Sequence, residues 1–309
     1  MPARIAVLIP CYNEEVAISA VVRDFCAALP DATVYVYDNN SSDGTLAAAR
    51  MAGAVARTES LQGKGHVIRR MFADIEADAY VLVDGDGTYS AATSPAMVRL
   101  LLEDGLDMVN GTRISEVSAA YRRGHRFGNA VLTGLVAWVF GNRVSDMLSG
   151  YRVFSRRFVK SFPALSSGFE AETEFTVHAL ELHMPIDELP TPYKERQAGS
   201  ASKLRTYTDG LRILRTIVIL VKEERPLQFF ASAAALQMLL AFALAVPVVA
   251  DYLRTGLVPR LPTAVLATGI VLLACLSLTC GMILDSVTRG RKEFKRLSYL
   301  AIPAYRLDR

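Results

Sequence analysis

The chain has 309 residues, with 34 Lys and Arg against 31 Asp and Glu, a formal net charge of +3. So even a balance gives no argument for nucleic acid as a partner, and the length allows one large domain or two modest ones. Cys11, Cys26, Cys275 and Cys280 form no C-x-x-C pair and read as reduced thiols of an intracellular protein; His66, His125, His178 and His183 form no H-x-x-x-H pair, which argues against zinc.

Taken in chain order, Ile5–Ile9 is a short apolar run that meets Pro10 at once, which is a strand and not a signal peptide. From Asn13 onward, Val21, Val22, Phe25 and Leu29 recur at helical spacing behind an Asn cap and two early glutamates. Val34–Tyr37, Tyr80–Val83 and Met108–Asn110 are further runs of strand length. Strands alternating with helices predict a mostly parallel sheet covered on both faces, with ligands at the carboxyl ends of the strands. Residues 1–205 therefore read as one α/β domain.

The second part of the chain is built for another solvent. The spacing of apolar residues and arginines over Tyr207–Arg225 predicts an amphipathic interfacial helix, within a connecting segment 206–228. Phe229–Ala250 and Leu261–Leu284 are each apolar for the ~20 residues needed to cross a bilayer. Pro247 falls near the end of the first span, where a kink is tolerated. The connector Asp251–Arg260 carries two arginines. The outer flanks are richer in cations: Arg212, Arg215, Lys222 and Arg225 before, and Arg289, Arg291, Lys292, Lys295 and Arg296 after, in a basic tail over 285–309. The positive-inside rule then puts both termini and the α/β domain in the cytoplasm, on a plasma (bacterial inner) membrane whose anionic lipids face the basic clusters.

The polar motifs stand where the apolar strands stop. Asp84-Gly85-Asp86 follows Tyr80–Val83, and two carboxylates at a strand exit suit Mg²⁺ or Mn²⁺ bridging a diphosphate. Pro10-Cys11-Tyr12-Asn13-Glu14-Glu15 ends the first strand, and Asp38-Asn39-Asn40-Ser41-Ser42-Asp43-Gly44-Thr45 ends the second. Gly63-Lys64-Gly65 is a flexible turn with a cation; Thr58 and Gly65 stand where a Walker loop needs Gly and Ser or Thr. Glu170 and Glu172 read as an exposed helix face, Glu174 as a candidate beyond it.

This series of motifs resembles the family-2 glycosyltransferases of GT-A fold, and among them the dolichol-phosphate mannose synthase and polyprenyl-phosphate glycosyltransferase branch. The likeness runs from residue 4 to about 225. It implies a Rossmann-like mostly parallel sheet as the catalytic domain, followed here by a two-helix transmembrane hairpin. It also implies that Pro10, Tyr12, Glu14 and Asp38 hold the nucleoside, that Asp84, Gly85 and Asp86 carry the metal and diphosphate, and that Lys64 belongs to the donor side. Gly111-Thr112-Arg113 is similar to the family's G-S/T-R stretch beside the donor, and Asp146-Met147-Leu148-Ser149-Gly150-Tyr151-Arg152 to its D-x-x-S-G-F-R motif near the transferred sugar. Arg196 to Lys203 resembles the R-x-x-G-x-S-K segment that closes over the diphosphate. Three positions depart from the pattern: Asn39 for a second Asp, Thr88 for the Gln of mannose synthases, and Tyr151 for Phe.

The implied reaction moves one sugar, with inversion, from a UDP- or GDP-sugar to an undecaprenyl or dolichyl phosphate at the cytoplasmic face. A phosphate oxygen is already charged near neutral pH, since its second pKa is ~6, so no strong general base is needed. Asp146 then orients the sugar, while Arg113, Arg123 and Arg126, with Ser149, are the candidates to hold the acceptor. A processive polysaccharide synthase needs a Q-x-x-R-W motif, and the one tryptophan, Trp138, does not supply it. A non-catalytic membrane subunit is the other alternative, which the intact Asp84 and Asp86 oppose. Sugar, nucleotide, lipid length and homo-oligomerisation stay open.

Overall fold

A computed structural model describes residues 2–114, 145–164, 171–194, 219, 222–223 and 225–305. Arg123, Arg126, Arg196, Lys203 and most of the segment 206–228 lie outside the described residues. The chain divides into two compact units, Met1–Asp209 with Lys295–Arg309, and Gly210–Phe294.

The first unit is built on a sheet of seven strands: β1 Ile5–Cys11, β2 Thr33–Asp38, β3 Val55–Thr58, β4 Ala79–Leu82, β5 Met108–Ile114, β6 Arg152–Ser155 and β7 Ile186–Pro192. Their order is β3-β2-β1-β4-β6-β5-β7, parallel except for β6, which runs against both β4 and β5. Helices α1 Glu15–Ala28, α2 Thr45–Met51 and α4 Ser94–Glu103 cover one face. Helices α3 Lys64–Asp74, α5 Arg156–Ser161 and α6 Ala171–Glu181 cover the other.

The two-sided cover explains the uninterrupted apolar run of β1. Val7 and Ile9 pack with Ile18, Val22 and Phe25 of α1, while Ala6 and Leu8 turn the other way onto Val67, Ile68 and Met71 of α3. The alternation repeats in β4, where Val81 faces the α1 side and Tyr80 and Leu82 the α3 side. Every parallel strand of the sheet points its carboxyl end the same way. The antiparallel β6 starts where they finish, so the stretch preceding Arg152 is delivered to that same rim.

Helix α1 starts at Glu15, not behind Asn13 as its spacing had predicted. Asn13 adopts a left-handed backbone (φ 53°), which Asn tolerates, and its Oδ1 accepts from the Ser42 amide at 2.8 Å. The first turn is instead served by the neighbouring loop: the Glu14 amide donates to Thr45 Oγ1 and the Glu15 amide to Asp43.

In the second unit, α7 (Pro226–Thr255) and α8 (Leu261–Leu300) are both long and apolar enough to cross a membrane, each reaching a mean hydropathy of 2.2. Ala234, Ala241 and Val248 on α7, and Ala267, Ala274 and Gly281 on α8, are buried and spaced by seven. Small residues on that seam let two helix backbones approach closely, and Ser277 donates to Gln237 Oε1 at 3.1 Å. Gly256, left-handed at φ 69°, ends α7 as a C-cap. The basic residues 289–296 are helical, since α8 continues to Leu300. Its last residues belong to the first unit, where Lys295 pairs with Glu181 and Tyr299 donates to Asp107.

Candidate active site

The carboxyl rim of the sheet gathers the motifs of six segments. Two loops, after β1 and β2, are zipped together by short polar side chains. The Asn13 amide donates to Ser41 Oγ at 2.8 Å, the Gly44 amide to Glu15 Oε2 at 3.0 Å, and the Asn39 amide to the Cys11 carbonyl at 2.8 Å. Asp38 ends β2 inside this knot. Its Oδ2 accepts the Ser41 amide, and its Oδ1 is buried with no partner among the described residues. A buried carboxylate oxygen without a donor is costly, which suits it to a ligand N–H or O–H. Tyr12 is partly exposed at the mouth of the same knot.

Asn39 has no such freedom. Its amide nitrogen donates to the carbonyls of Glu59 and Leu61, and its Oδ1 accepts the Gly63 amide at 2.7 Å. The departure from Asp therefore serves the scaffold: an Asp side chain could not donate to those two carbonyls. Asn39 thereby fixes the turn that presents Lys64 at the start of α3.

Asp84 and Asp86 follow β4 directly. Asp86 is buried, and its Oδ1 accepts from both the amide and the hydroxyl of Thr88, at 3.1 and 2.6 Å. Thr88 thus orients a carboxylate, the part it plays in place of Gln. Asp84 sits against the backbone of Gly150, where an added Cβ would come within 2.7 Å of Asp84 Cγ. Only glycine admits this approach, so the 146–152 motif seats the aspartate. Burial pushes the Asp84 carboxyl up, Glu172 and Asp86 add to the rise, and Lys64 opposes it. The same surroundings, with burial foremost, raise the Cys11 thiol well above its ordinary value, so Cys11 is an inert packing residue.

Lys64 Nζ bridges Asp84 Oδ1 and Glu172 Oε1, each at 2.5 Å. Burial alone would depress the lysine, but the two carboxylates outweigh it and hold the ammonium above its usual range. The sequence had suggested an exposed helix face at Glu172; the structure buries it at 6% exposure. The signal was present in the spacing: Glu172, Phe175, Thr176 and Ala179 form one i, i+3, i+4, i+7 stripe on α6, all buried.

Arg113, in β5, forms a two-pronged pair with Asp146: Nε to Oδ2 at 2.7 Å and Nη2 to Oδ1 at 2.8 Å, with its guanidinium 5.6 Å from the Tyr193 ring centre. The structure thus joins the residue expected beside the acceptor to the one expected to orient the sugar. Ser149 is fully buried, and its hydroxyl donates to the Gly111 carbonyl at 2.5 Å. It braces β5 against the motif loop. Arg152, also fully buried, donates to the carbonyls of Met147 and Ser149 and to Thr176 Oγ1. Burial brings its pKa down to about 10, so it stays charged and works as an internal clamp on the loop.

Among the described residues no group of three or more His, Cys, Asp or Glu is placed to hold a metal. Asp84 and Asp86 are two hard oxygen donors side by side, and Asp84 already takes a positive charge from Lys64. That donor set fits Mg²⁺ or Mn²⁺, which commonly take one or two carboxylates and complete their shell with phosphate oxygens and water.

Residues 6–162 match the family model described as Glycosyl transferase family 2. The chain belongs to glycosyl transferase family 2. It is similar along nearly its whole length to the glycosyltransferase AglJ of Haloferax volcanii, 32% identical over 302 residues, 97% of this chain and 99% of that one. A dolichyl-phosphate hexose transferase of the same organism is 30% identical over 222 residues, 72% of this chain and 95% of the other. The glucosyl-3-phosphoglycerate synthase from Mycobacterium tuberculosis, solved with Mn²⁺, UDP and phosphoglyceric acid, superposes with a TM-score of 0.59 at 23% identity, covering 71% of this chain and 78% of its own. That likeness is one of fold: the glycosyltransferase has the GT-A architecture expected from its motifs.

Proposed function

We propose that this glycosyltransferase moves a single sugar from a UDP- or GDP-sugar to a polyprenyl phosphate, with inversion, at the cytoplasmic face of a membrane. The observation that carries the reading is the similarity to a dolichyl-phosphate hexose transferase over 95% of that protein, in a chain that carries two membrane-length helices.

On this reading Pro10, Tyr12, Glu14 and the orphaned oxygen of Asp38 receive the nucleoside. Asp84 and Asp86 hold Mg²⁺ or Mn²⁺, which when bound neutralises charge on the departing diphosphate. Lys64 lies beside Asp84 as a further cation for the same phosphates. The Arg113–Asp146 pair borders the sugar: the carboxylate takes its hydroxyls and the guanidinium faces the acceptor phosphate. Arg123 and Arg126 reinforce the acceptor side, Arg196 and Lys203 the donor side. The acceptor brings its own negative charge, so this chain's task is to place it in line, which alone is worth several kcal/mol of barrier. The hydrophobic helices bring the protein to where a polyprenyl chain is dissolved.

The test is purified protein in vesicles with polyprenyl phosphate, given a panel of radiolabelled nucleotide-sugars with Mg²⁺ or Mn²⁺. Label should enter the lipid as one sugar, and Asp84→Asn or Asp86→Asn should reduce this at least a hundredfold with the protein still folded. Chains of many sugars, or transfer to a soluble hydroxyl in preference to the lipid, would refute the proposal.

A further inference from the structure

Lys64 bridges Asp84 and Glu172 in a triad at the rim, and its three members are built differently. Asp84 is fixed at a strand exit and wedged against Gly150. Glu172 sits on the buried stripe of α6 and spends one oxygen on Lys64; its Oε2 is buried with no partner among the described residues. Lys64 has the flexible stem, and its side chain is only 11% exposed. Of its two partners in the triad, Asp84 also belongs to the metal pair and Glu172 does not.

Asp84 Oδ1 cannot serve an ammonium at 2.5 Å and a divalent ion together, because the two cations would repel at contact distance. When that oxygen ligates metal, Lys64 has to leave it. Expelling the ammonium to water would strand Glu172 as a buried, unpaired carboxylate, which is strongly unfavourable. Glu172 Oε2, with no partner among the described residues, can keep it. We infer that Lys64 is a place-holding cation for the metal site, and that Glu172 is the positioning residue that retains it within the site once a metal takes Asp84. The retained ammonium is then a second positive charge for a diphosphate, delivered only when the metal is present. The inference deepens the proposed function and rests on its assignment of Asp84 and Asp86 to a metal.

The experiment is Mn²⁺ binding to the full-length protein without nucleotide, read by the electron paramagnetic resonance of free Mn²⁺. Lys64→Met removes the competitor and should tighten Mn²⁺ at least fivefold. Glu172→Gln should loosen it at least threefold, because Lys64 then has Asp84 as its sole carboxylate partner in the triad. Glu172→Gln placed in the Lys64→Met protein should change Mn²⁺ affinity less than twofold, since it acts through the lysine. Lys64→Gln serves as a second neutral variant, and circular dichroism establishes that each protein is folded. Unchanged or weaker Mn²⁺ binding in both neutral variants overturns the inference. So does a Glu172→Gln effect that persists without Lys64, which would be simple loss of negative charge. Asp84→Asn separates the two levels: if it binds Mn²⁺ like the wild type, the metal assignment itself fails. If it loses Mn²⁺ while the Lys64 variants behave like the wild type, only the place-holder fails.

Discussion

Gly150 shows how closely single residues set this site. Its backbone fills the space behind Asp84, so Gly150→Ala forces the carboxylate to move; overpacking of this kind costs about 1–3 kcal/mol. Expected is at least a tenfold loss of Mn²⁺ affinity and of transfer, with the fold retained. Wild-type affinity in that variant would show that Asp84 is not seated by the motif. A second residue sets a pH limit. His178 is buried among Phe158 and Phe162, and burial, with Lys295 adding to it, lowers its pKa to about 3. The folded imidazole is therefore neutral, while the unfolded one takes a proton near pH 6.5. Its contribution is fully present above about pH 6.5 and is lost as the pH falls toward 3, by up to about 1.4 kcal/mol per unit. Melting temperature should drop between pH 7.5 and 5.5, and drop less in His178→Gln; equal drops would remove His178 as the cause. At this scale the sequence was legible in the identity of the motifs but not in the division of labour inside them. Asp84, Asp86 and Asp38 reach the rim as their motifs imply. Asn39, Ser149 and Arg152 spend their polar atoms holding loops, and nothing in a motif distinguishes a side chain that faces a ligand from one that faces a carbonyl.

Among the elements, the strands that could be read were those buried on both faces. β1, β2, β4 and β5 announced themselves as apolar runs because helices cover them twice. β3 and β7 close the sheet at its two edges, and their VART and IDELPTP sequences lack that signal; two prolines are tolerated in β7 because an edge strand has amides to spare. β6 is central but only four residues long, and it was visible merely as the tail of the 146–152 motif. The end of α8 was equally hidden. Lys295 lies on Glu181, whose side chain is 1% exposed, while Tyr299 donates to the fully buried Asp107, which also pairs with Arg157. A basic tail thus contributes specific partners to buried carboxylates of the catalytic unit. Lys295→Met should destabilise that unit by roughly 3 kcal/mol, because it leaves a carboxylate buried and unpaired. Pairing it with Glu181→Gln should recover much of the loss. A melting temperature unmoved by Lys295→Met would mean that the contact carries no stability.

In the molecule as a whole, a unit of GT-A fold is followed along the chain by two helices long and apolar enough to cross a membrane. The two long apolar helices were legible because their apolar runs are long and unbroken. The helix ends were not, since α8 runs on well past its apolar part. Cations dominate the outer flanks of the hairpin, so a reporter inserted at Gly256 should read outside the cytoplasm and one after Arg309 inside. A cytoplasmic reading at Gly256 would refute the hairpin topology. The proposed function stands on the transfer of one sugar to a lipid phosphate in a single displacement. It is tested most directly by NMR and mass measurement of the glycolipid made from an anomerically defined nucleotide-sugar. One sugar on the polyprenyl phosphate with its anomeric centre inverted is the expected product; a retained anomer, or more than one sugar on the lipid, would refute the proposed function.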